Sequence, residues 1–319
     1  MTMAEATGGL EAAWTTSFSG LIVAALTPMR TDRSIDLDAV DPYVEFLISH
    51  GADALMVLGT TGEYIALTPE ERQLVAARFL AAVAGRVPVV VHVGHVDLEV
   101  ARGLAEAAIR DGAKSIAAIV PYYHHFSPSA IEAHLGQLAR DFPSCSFFVY
   151  NYPDAAGNRI EFDGFQRLLA EPNVRGIKLS VATWEEVEPF LASPSEVLVT
   201  CGTDQLMERF VAAGGRAVVS GNAAAFPDAL ALCWAAFHGH DGHAIELARA
   251  VMAEVAELSL SGSSDRLKEA LAARHVSVGV SRIRTFTEND AHPVAERVAR
   301  IGTQITHLGT LRTSLAGTR

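Results

Sequence analysis

The 319-residue sequence predicts a (β/α)8 barrel, the TIM-barrel class of α/β fold, followed by a C-terminal extension of three helices. Three observations carry that prediction. Short runs rich in Val, Ile and Leu alternate with longer segments whose apolar residues recur three and four positions apart, so strand and helix alternate strictly. The runs are apolar throughout, as expected of parallel strands covered on both faces. There are eight of them, and eight strand-crossover-helix units within roughly 220 residues close naturally into a barrel.

The first run, LIVAALTP (21–28), opens into LTPMRTDRS, which lacks the Gly-x-Gly-x-x-Gly fingerprint of a doubly wound open sheet. DALMVLG (53–59) leads into Gly-Thr-Thr-Gly and then a helix, PEERQLVAARFLAAVA (69–84), whose start carries the capping-box pattern Thr68-Pro69-Glu70-Glu71. PVVVHVG (88–94) precedes the helical DLEVARGLAEAAIRDG (97–112). SIAAIVP (115–121), SFFVYN (146–151), VRGIKLS (174–180), VLVTCG (197–202) and AVVSGN (217–222) complete the set. Segments 245–260, 264–276 and 293–308 then read as helices with no strand between them. The expected organisation is a flexible tail over 1–17, the barrel over 18–239 and the helical extension over 240–319.

With 25 Lys and Arg against 37 Asp and Glu, the formal charge of −12 repels nucleic acid and anionic membrane surfaces and favours a small-molecule or protein partner. Cys145, Cys201 and Cys233 are far apart and form no Cys-x-x-Cys pair, which fits a reducing compartment better than a disulfide framework or zinc site. The first residues have no basic flank or signal-length apolar run, and no uninterrupted apolar stretch reaches about 18 residues. The expectation is a soluble cytoplasmic protein.

Lys178 interrupts the sixth apolar run near its C-terminal end, the end at which barrel enzymes build their sites. Two orientations are open to it. Turned toward the helices, it snorkels to solvent. Turned inward, its ammonium is desolvated, which lowers the pKa from about 10.4 and enriches the free amine needed to attack a ketone. The loop GTTGEYIALTPEER (59–72) lies at the same rim. There Gly59 and Gly62 permit close backbone approach, and Thr60 and Thr61 offer hydroxyls and amide donors suited to a carboxylate. The loop lacks the Gly-Lys-Ser/Thr of a nucleotide site. VYNYP ends the fifth run with Tyr150, either a proton carrier beside the amine or a core tyrosine.

Gly-Thr-Thr-Gly-Glu after the second run, Tyr-Asn-x-Pro after the fifth and Gly-Ile-Lys on the sixth resemble the dihydrodipicolinate synthase and N-acetylneuraminate lyase family of pyruvate-dependent class I aldolases, over nearly the whole chain. The resemblance implies a Schiff base between Lys178 and pyruvate or another 2-oxo acid, with no metal or other cofactor. It implies that Thr61 and the Thr60–Thr61 backbone hold the substrate carboxylate, while Tyr150 and Thr60 relay protons. PYYHHFSP (121–128) resembles a segment whose second tyrosine, here Tyr123, reaches a neighbouring subunit's site, and the family is usually homotetrameric, as a dimer of dimers.

Within the family, synthases usually carry an arginine two positions after Tyr-Asn-x-Pro. This chain has Ala155 there, with Arg159 four residues further on. Ser180 and GTDQ (202–205) look instead like the lyase branch, so Gly202, Asp204 and Gln205 are expected to hold a polyol chain, with Ser220, Gly221 and Asn222 shaping the wall. Asp204 alone could equally be a helix cap. A 2-keto-3-deoxy or sialic-acid-like sugar acid is the leading substrate class. The alternatives are 4-hydroxy-tetrahydrodipicolinate synthesis from pyruvate and aspartate semialdehyde, a 2-keto-3-deoxy acid dehydratase, and a metabolite-binding barrel without turnover. His92 and His95 border the site or are structural. FHGHDGH (237–243), with His238, His240, Asp241 and His243, reads as a turn and not a metal site.

Overall fold

Every residue of the second, fifth, seventh and eighth strands is buried. One face packs into the barrel and the other meets the helices, which is why continuous apolar runs mark the strands. The computed structural model describes residues 18–239, 241–259, 262–285 and 294–316. Strands β1 (Gly20–Ala24), β2 (Ala54–Val57), β3 (Val89–His92), β4 (Ser115–Ile119), β5 (Ser146–Asn151), β6 (Val174–Leu179), β7 (Leu198–Cys201) and β8 (Ala217–Ser220) form a closed parallel barrel in sequence order, β8 pairing with β1. The predicted fold class is the one that forms.

The outer helices begin where their chemistry says they should. Thr68 accepts the Glu71 N–H at 3.2 Å while Glu71 accepts the Thr68 N–H at 3.0 Å, with Pro69 at the first helical position of Pro69–Val83. Asp97 caps Leu98–Arg110 by accepting the Glu99 N–H, and Ser127 caps Pro128–Asp141 by accepting the Ala130 N–H, without the reciprocal bond. The sixth unit departs from the pattern. Between β6 and β7 the chain makes only two short 3-10 turns, Trp184–Glu186 and Glu188–Ala192. Pro189 and Pro194 explain this, because each removes a backbone donor and disfavours helix in the residue before it.

One irregularity in the sheet matters for the site. Phe147 pairs with Val174 but Phe148 pairs with Gly176, so β6 carries one extra residue, Arg175, at that point. Above the bulge, Tyr150 lies directly opposite Lys178, and Lys178 opposite Thr200 on β7. Gly176, two residues below the lysine, has no room for a side chain. A Cβ there would stand 2.3 Å from the Leu198 carbonyl oxygen and 2.6 Å from the Phe148 ring.

Helices Gly242–Leu258, Ser264–Ala273 and Val294–Ala316 follow the barrel. The second ends earlier than its periodicity suggests, where His275 adopts φ 63° and the chain turns back onto the barrel. Met29 and Gly279 then run side by side, with Met29 N–H donating to the Val278 carbonyl at 3.0 Å. Gly279, at φ 70°, is required there, since a Cβ would overlap the Met29 carbonyl oxygen at 1.6 Å. Arg274 grips Asp228 on Pro227–His238 through two hydrogen bonds of 3.0 and 2.6 Å. Among the described residues no helix is long and apolar enough to cross a membrane. The expected tail over 1–17 lies outside the described residues.

Gly176→Ala is expected to lower the thermal unfolding midpoint by several degrees, since overpacking a filled core costs about 1–3 kcal/mol. Calorimetry showing the parental midpoint would mean that Phe148 yields without strain.

Candidate active site

At the C-terminal mouth of the barrel is a pocket of 580 Å³ whose wall includes Thr60, Thr61, Tyr150, Lys178, Ser180, Gly202, Asp204, Gln205, Gly221 and Asn222. Lys178 is therefore turned inward. It is 8% exposed, and its Nζ lies 4.2 Å from the centroid of the Tyr150 ring. Gly202 makes the space for it, because a Cβ at that position would stand 3.0 Å from Lys178 Cε and 2.4 Å from Ser180 Oγ. The Tyr150 hydroxyl shares a 3.1 Å hydrogen bond with Thr60 Oγ1, while its ring is held edge-on by His92 and stacked by Tyr152. Amine, phenol and threonine hydroxyl thus form one cluster reachable from the pocket.

The turn that presents Thr60 and Thr61 is fixed from below. Leu58 and Glu63, on either side of the four-residue Gly-Thr-Thr-Gly, both adopt the left-handed conformation, at φ 60° and 57°. His92 Nδ1–H donates to the Leu58 carbonyl at 2.9 Å, and its Nε2 accepts the Ile119 N–H at 3.2 Å. With both ring nitrogens used, and with burial first and Arg72 second driving its pKa well below the ordinary histidine range, His92 is a neutral structural group. Gly62 is needed for packing, since a Cβ would stand 3.1 Å from the Ala25 carbonyl oxygen. Gly59 is under no such constraint, with only Met56 Cε near, at 3.9 Å. It is buried and, unlike Thr60 and Thr61, does not line the pocket, against the sequence expectation.

The far wall is polar. Asp204 Oδ2 accepts hydrogen bonds from Ser220 Oγ and Asn222 Nδ2, each at 2.8 Å. Thr203, not Asp204, is the N-cap of the turn Asp204–Leu206, and the Asp204 carboxylate serves this network. Burial pushes the Asp204 carboxyl up to about 6, against the opposing pull of Ser220, Asn222 and Lys178. Gln205 is exposed beside it, and a Cβ on Gly221 would press on Thr61 Oγ1 at 3.0 Å. Tyr152, Asp154 and Thr203 also line the pocket, as do Ser263, Ser264, Ile283 and Thr285 from the segment after the barrel. Sequence reading missed that last group because it lies far down the chain on no recognisable motif. Among the described lining residues, Lys178 carries the one positive charge.

Several residues singled out in the sequence lie elsewhere, among them Ser220, which is fully buried and absent from the wall. Ala155 is exposed on the short helix Pro153–Ala156 and does not line the pocket. Arg159 is held outside it by Glu186 at 3.0 Å. Tyr123 is 89% exposed at φ 76° and borders a separate cavity of 330 Å³ with Tyr64, Arg72 and Tyr122. His95 lines that second cavity as well. Of the histidine-rich turn, His238 bonds the Trp234 carbonyl, Asp241 caps the next helix and His243 packs against His307, while His240 lies outside the described residues.

Residues 17–297 match the model of the dihydrodipicolinate synthetase family. The chain is 32% identical over 230 residues, 72% of its own length and 79% of the relative's, to a 4-hydroxy-tetrahydrodipicolinate synthase of Neisseria meningitidis serogroup B. It is 30% identical over 216 residues, 66% of its length and 71% of the relative's, to a probable 2-dehydro-3-deoxy-D-pentonate aldolase of Escherichia coli K12. In fold it is similar to the structure of the 4-hydroxy-tetrahydrodipicolinate synthase from Methylacidiphilum fumariolicum SolV, with a TM-score of 0.84 at 22% identity over 92% of this chain and 99% of that one.

Tyr150→Phe keeps the ring packing and deletes the hydroxyl bonded to Thr60. The rate of turnover should fall about 10²- to 10⁴-fold, as for loss of a general acid-base group. An unchanged pH-rate profile would leave Tyr150 with a packing role alone.

Proposed function

The chain belongs to the dihydrodipicolinate synthetase family and is a class I, pyruvate-dependent lyase; we propose that its reaction is the reversible aldol cleavage of a 2-keto-3-deoxy sugar acid to pyruvate and an aldehyde. The observation that carries the substrate class is the charge and chemistry of the far wall. Asp204, Gln205, Asn222, Ser180 and Thr203 offer donors and acceptors suited to hydroxyl groups. No described lining residue beyond Lys178 offers a cation to a second carboxylate. Ala155 and Arg159, the positions at which such a partner was sought, both lie outside the wall.

In this reading the Lys178 free amine adds to the C2 ketone, and the carbinolamine loses water to give an iminium. Tyr150 supplies the proton that the departing hydroxyl needs and is left as the phenolate, which the hydroxyl of Thr60, its 3.1 Å partner, stabilises. Thr61 and the backbone of the Thr60–Thr61 turn hold the C1 carboxylate. Tyr150 oxygen then accepts the C4 hydroxyl proton as the C3–C4 bond breaks. The bonding pair passes into the enamine, the aldehyde leaves, and protonation at C3 followed by hydrolysis releases pyruvate and the amine. Gly202 and Gly221 keep the cavity open, Ser180, Asp204 and Gln205 position the hydroxylated chain, and the buried Ser220 acts through its bond to Asp204.

The proposed assembly is a homotetramer built as a dimer of dimers, acting in the cytoplasm. Support comes from the exposure of Tyr123 beside Ile65, 89% and 62% respectively, an aromatic and apolar lip suited to a second copy, whose site Tyr123 would then complete.

Across a panel of neutral-chain 2-keto-3-deoxy sugar acids, pyruvate release from at least one should outpace condensation of pyruvate with aspartate semialdehyde. A charge-assisted hydrogen bond contributes about 1.5–3 kcal/mol, so the lack of a cation for its second carboxylate should cost the semialdehyde reaction about 10- to 150-fold in specificity. Efficient semialdehyde condensation by the parent, with no sugar acid cleaved, would overturn the substrate assignment.

A further inference from the structure

Glu63 and Lys268 form an ion pair at 3.0 Å with their side chains 1% and 2% exposed. Glu63 ends the turn that carries Thr60 and Thr61, while Lys268 lies on helix Ser264–Ala273, beyond the barrel strands. Each charge has a further fixed partner. The second Glu63 oxygen accepts the Ile283 N–H at 2.8 Å, and Lys268 also donates to the Val280 carbonyl at 2.6 Å. Two more bonds tie the same segments together. Ser264 donates to the Thr61 carbonyl at 3.0 Å, and Arg282 donates to the Ala66 carbonyl at 2.9 Å while holding both oxygens of Glu71.

A buried ion pair is a weak source of stability, because desolvating two charges offsets most of their attraction, and an apolar pair of similar shape is often as stable. What such a pair can supply is a single geometry, since each charge accepts few arrangements of its partners. Here the geometry specified is that of the reacting end of the pocket. We propose that the Glu63–Lys268 pair positions the reaction machinery, locking segment 263–285 onto the Thr60–Thr61 turn so that Thr60 meets Tyr150 and Thr61 meets the 2-oxo acid carboxylate. The inference rests on the Schiff-base reading given above and assigns a part of the catalytic geometry to a helix outside the barrel. Glu63 and Lys268 are positioning residues, acting through the threonines without touching substrate.

Glu63→Gln combined with Lys268→Met removes both charges together and keeps a side-chain oxygen for the Ile283 N–H. The measurement is the rate at which borohydride traps a pyruvate adduct, followed against pyruvate concentration so that no second substrate is involved. The folded double variant should need more pyruvate for half-saturation, through the disturbed carboxylate cradle, and should reach a lower maximum rate, through the disturbed Thr60–Tyr150 bond. Together these should amount to about a 100-fold loss, the scale expected of misplacing reacting groups by an ångström. Both parameters at parental values in a folded double variant would overturn the proposal. Should that variant fail to fold, Glu63→Gln alone weakens the same pair while keeping its shape and an oxygen for the Ile283 N–H. It should raise the half-saturating concentration several-fold and lower the maximum rate, and both at parental values would overturn the proposal. Absence of any adduct in the parent would sink the Schiff-base reading itself and so is distinguishable from either result.

Discussion

The register between β5 and β6 is the constraint on which the site depends. Because β6 carries one extra residue at Arg175, Tyr150 stands opposite Lys178. Continued without the bulge, the pairing of Phe147 with Val174 would have set Asn151 opposite the lysine and turned Tyr150 and Lys178 to different faces. The amine's position 4.2 Å from the phenol ring centroid is thus a property of the sheet and not of a mobile loop. Gly176 below and Gly202 beside the lysine complete the arrangement by yielding space to Phe148 and to the lysine stem.

Around that pair the pocket has two chemically distinct ends. Toward β2, a turn fixed by His92 and by the left-handed Leu58 and Glu63 offers hydroxyls and backbone to a carboxylate. Toward β7 and β8, Asp204 is embedded in donors from Ser220 and Asn222, in a setting that pushes its carboxyl up to about 6. A substrate with one carboxylate next to its ketone and neutral hydroxyls beyond matches both ends. A second carboxylate would face Asp204 and Asp154 with no cation from the described wall but the reacting lysine itself.

Much of this was legible in the sequence, and the reasons are local. Doubly buried strands leave continuous apolar runs, so the eight units and their closure could be read from periodicity. Lys178, Tyr150, Thr60 and Thr61 were legible because each lies at the end of such a run, where a barrel gathers its chemistry. Strict alternation predicted a helix in the sixth unit as well, and Pro189 and Pro194, to which that reading gave no weight, account for its absence. The bulge at Arg175 left no mark, since register is settled between strands and not within one. Nor did the Glu63–Lys268 pair, whose partners come together only when the helix after the barrel folds back over the β2 turn. The outward path of Arg159 depends in the same way on Glu186, a residue of the irregular sixth unit.

The central claim is that the inward-facing Lys178 supplies the amine that bonds covalently to a 2-oxo acid. The most direct measurement is intact-mass and peptide-mapping analysis after incubation with pyruvate and borohydride, comparing the parent with Lys178→Arg, whose guanidinium keeps its proton and cannot act as a free amine. The account predicts a stable pyruvate-derived adduct located on Lys178 in the parent and none in the folded variant. An unmodified parent, or an adduct that persists elsewhere in the variant, would contradict it.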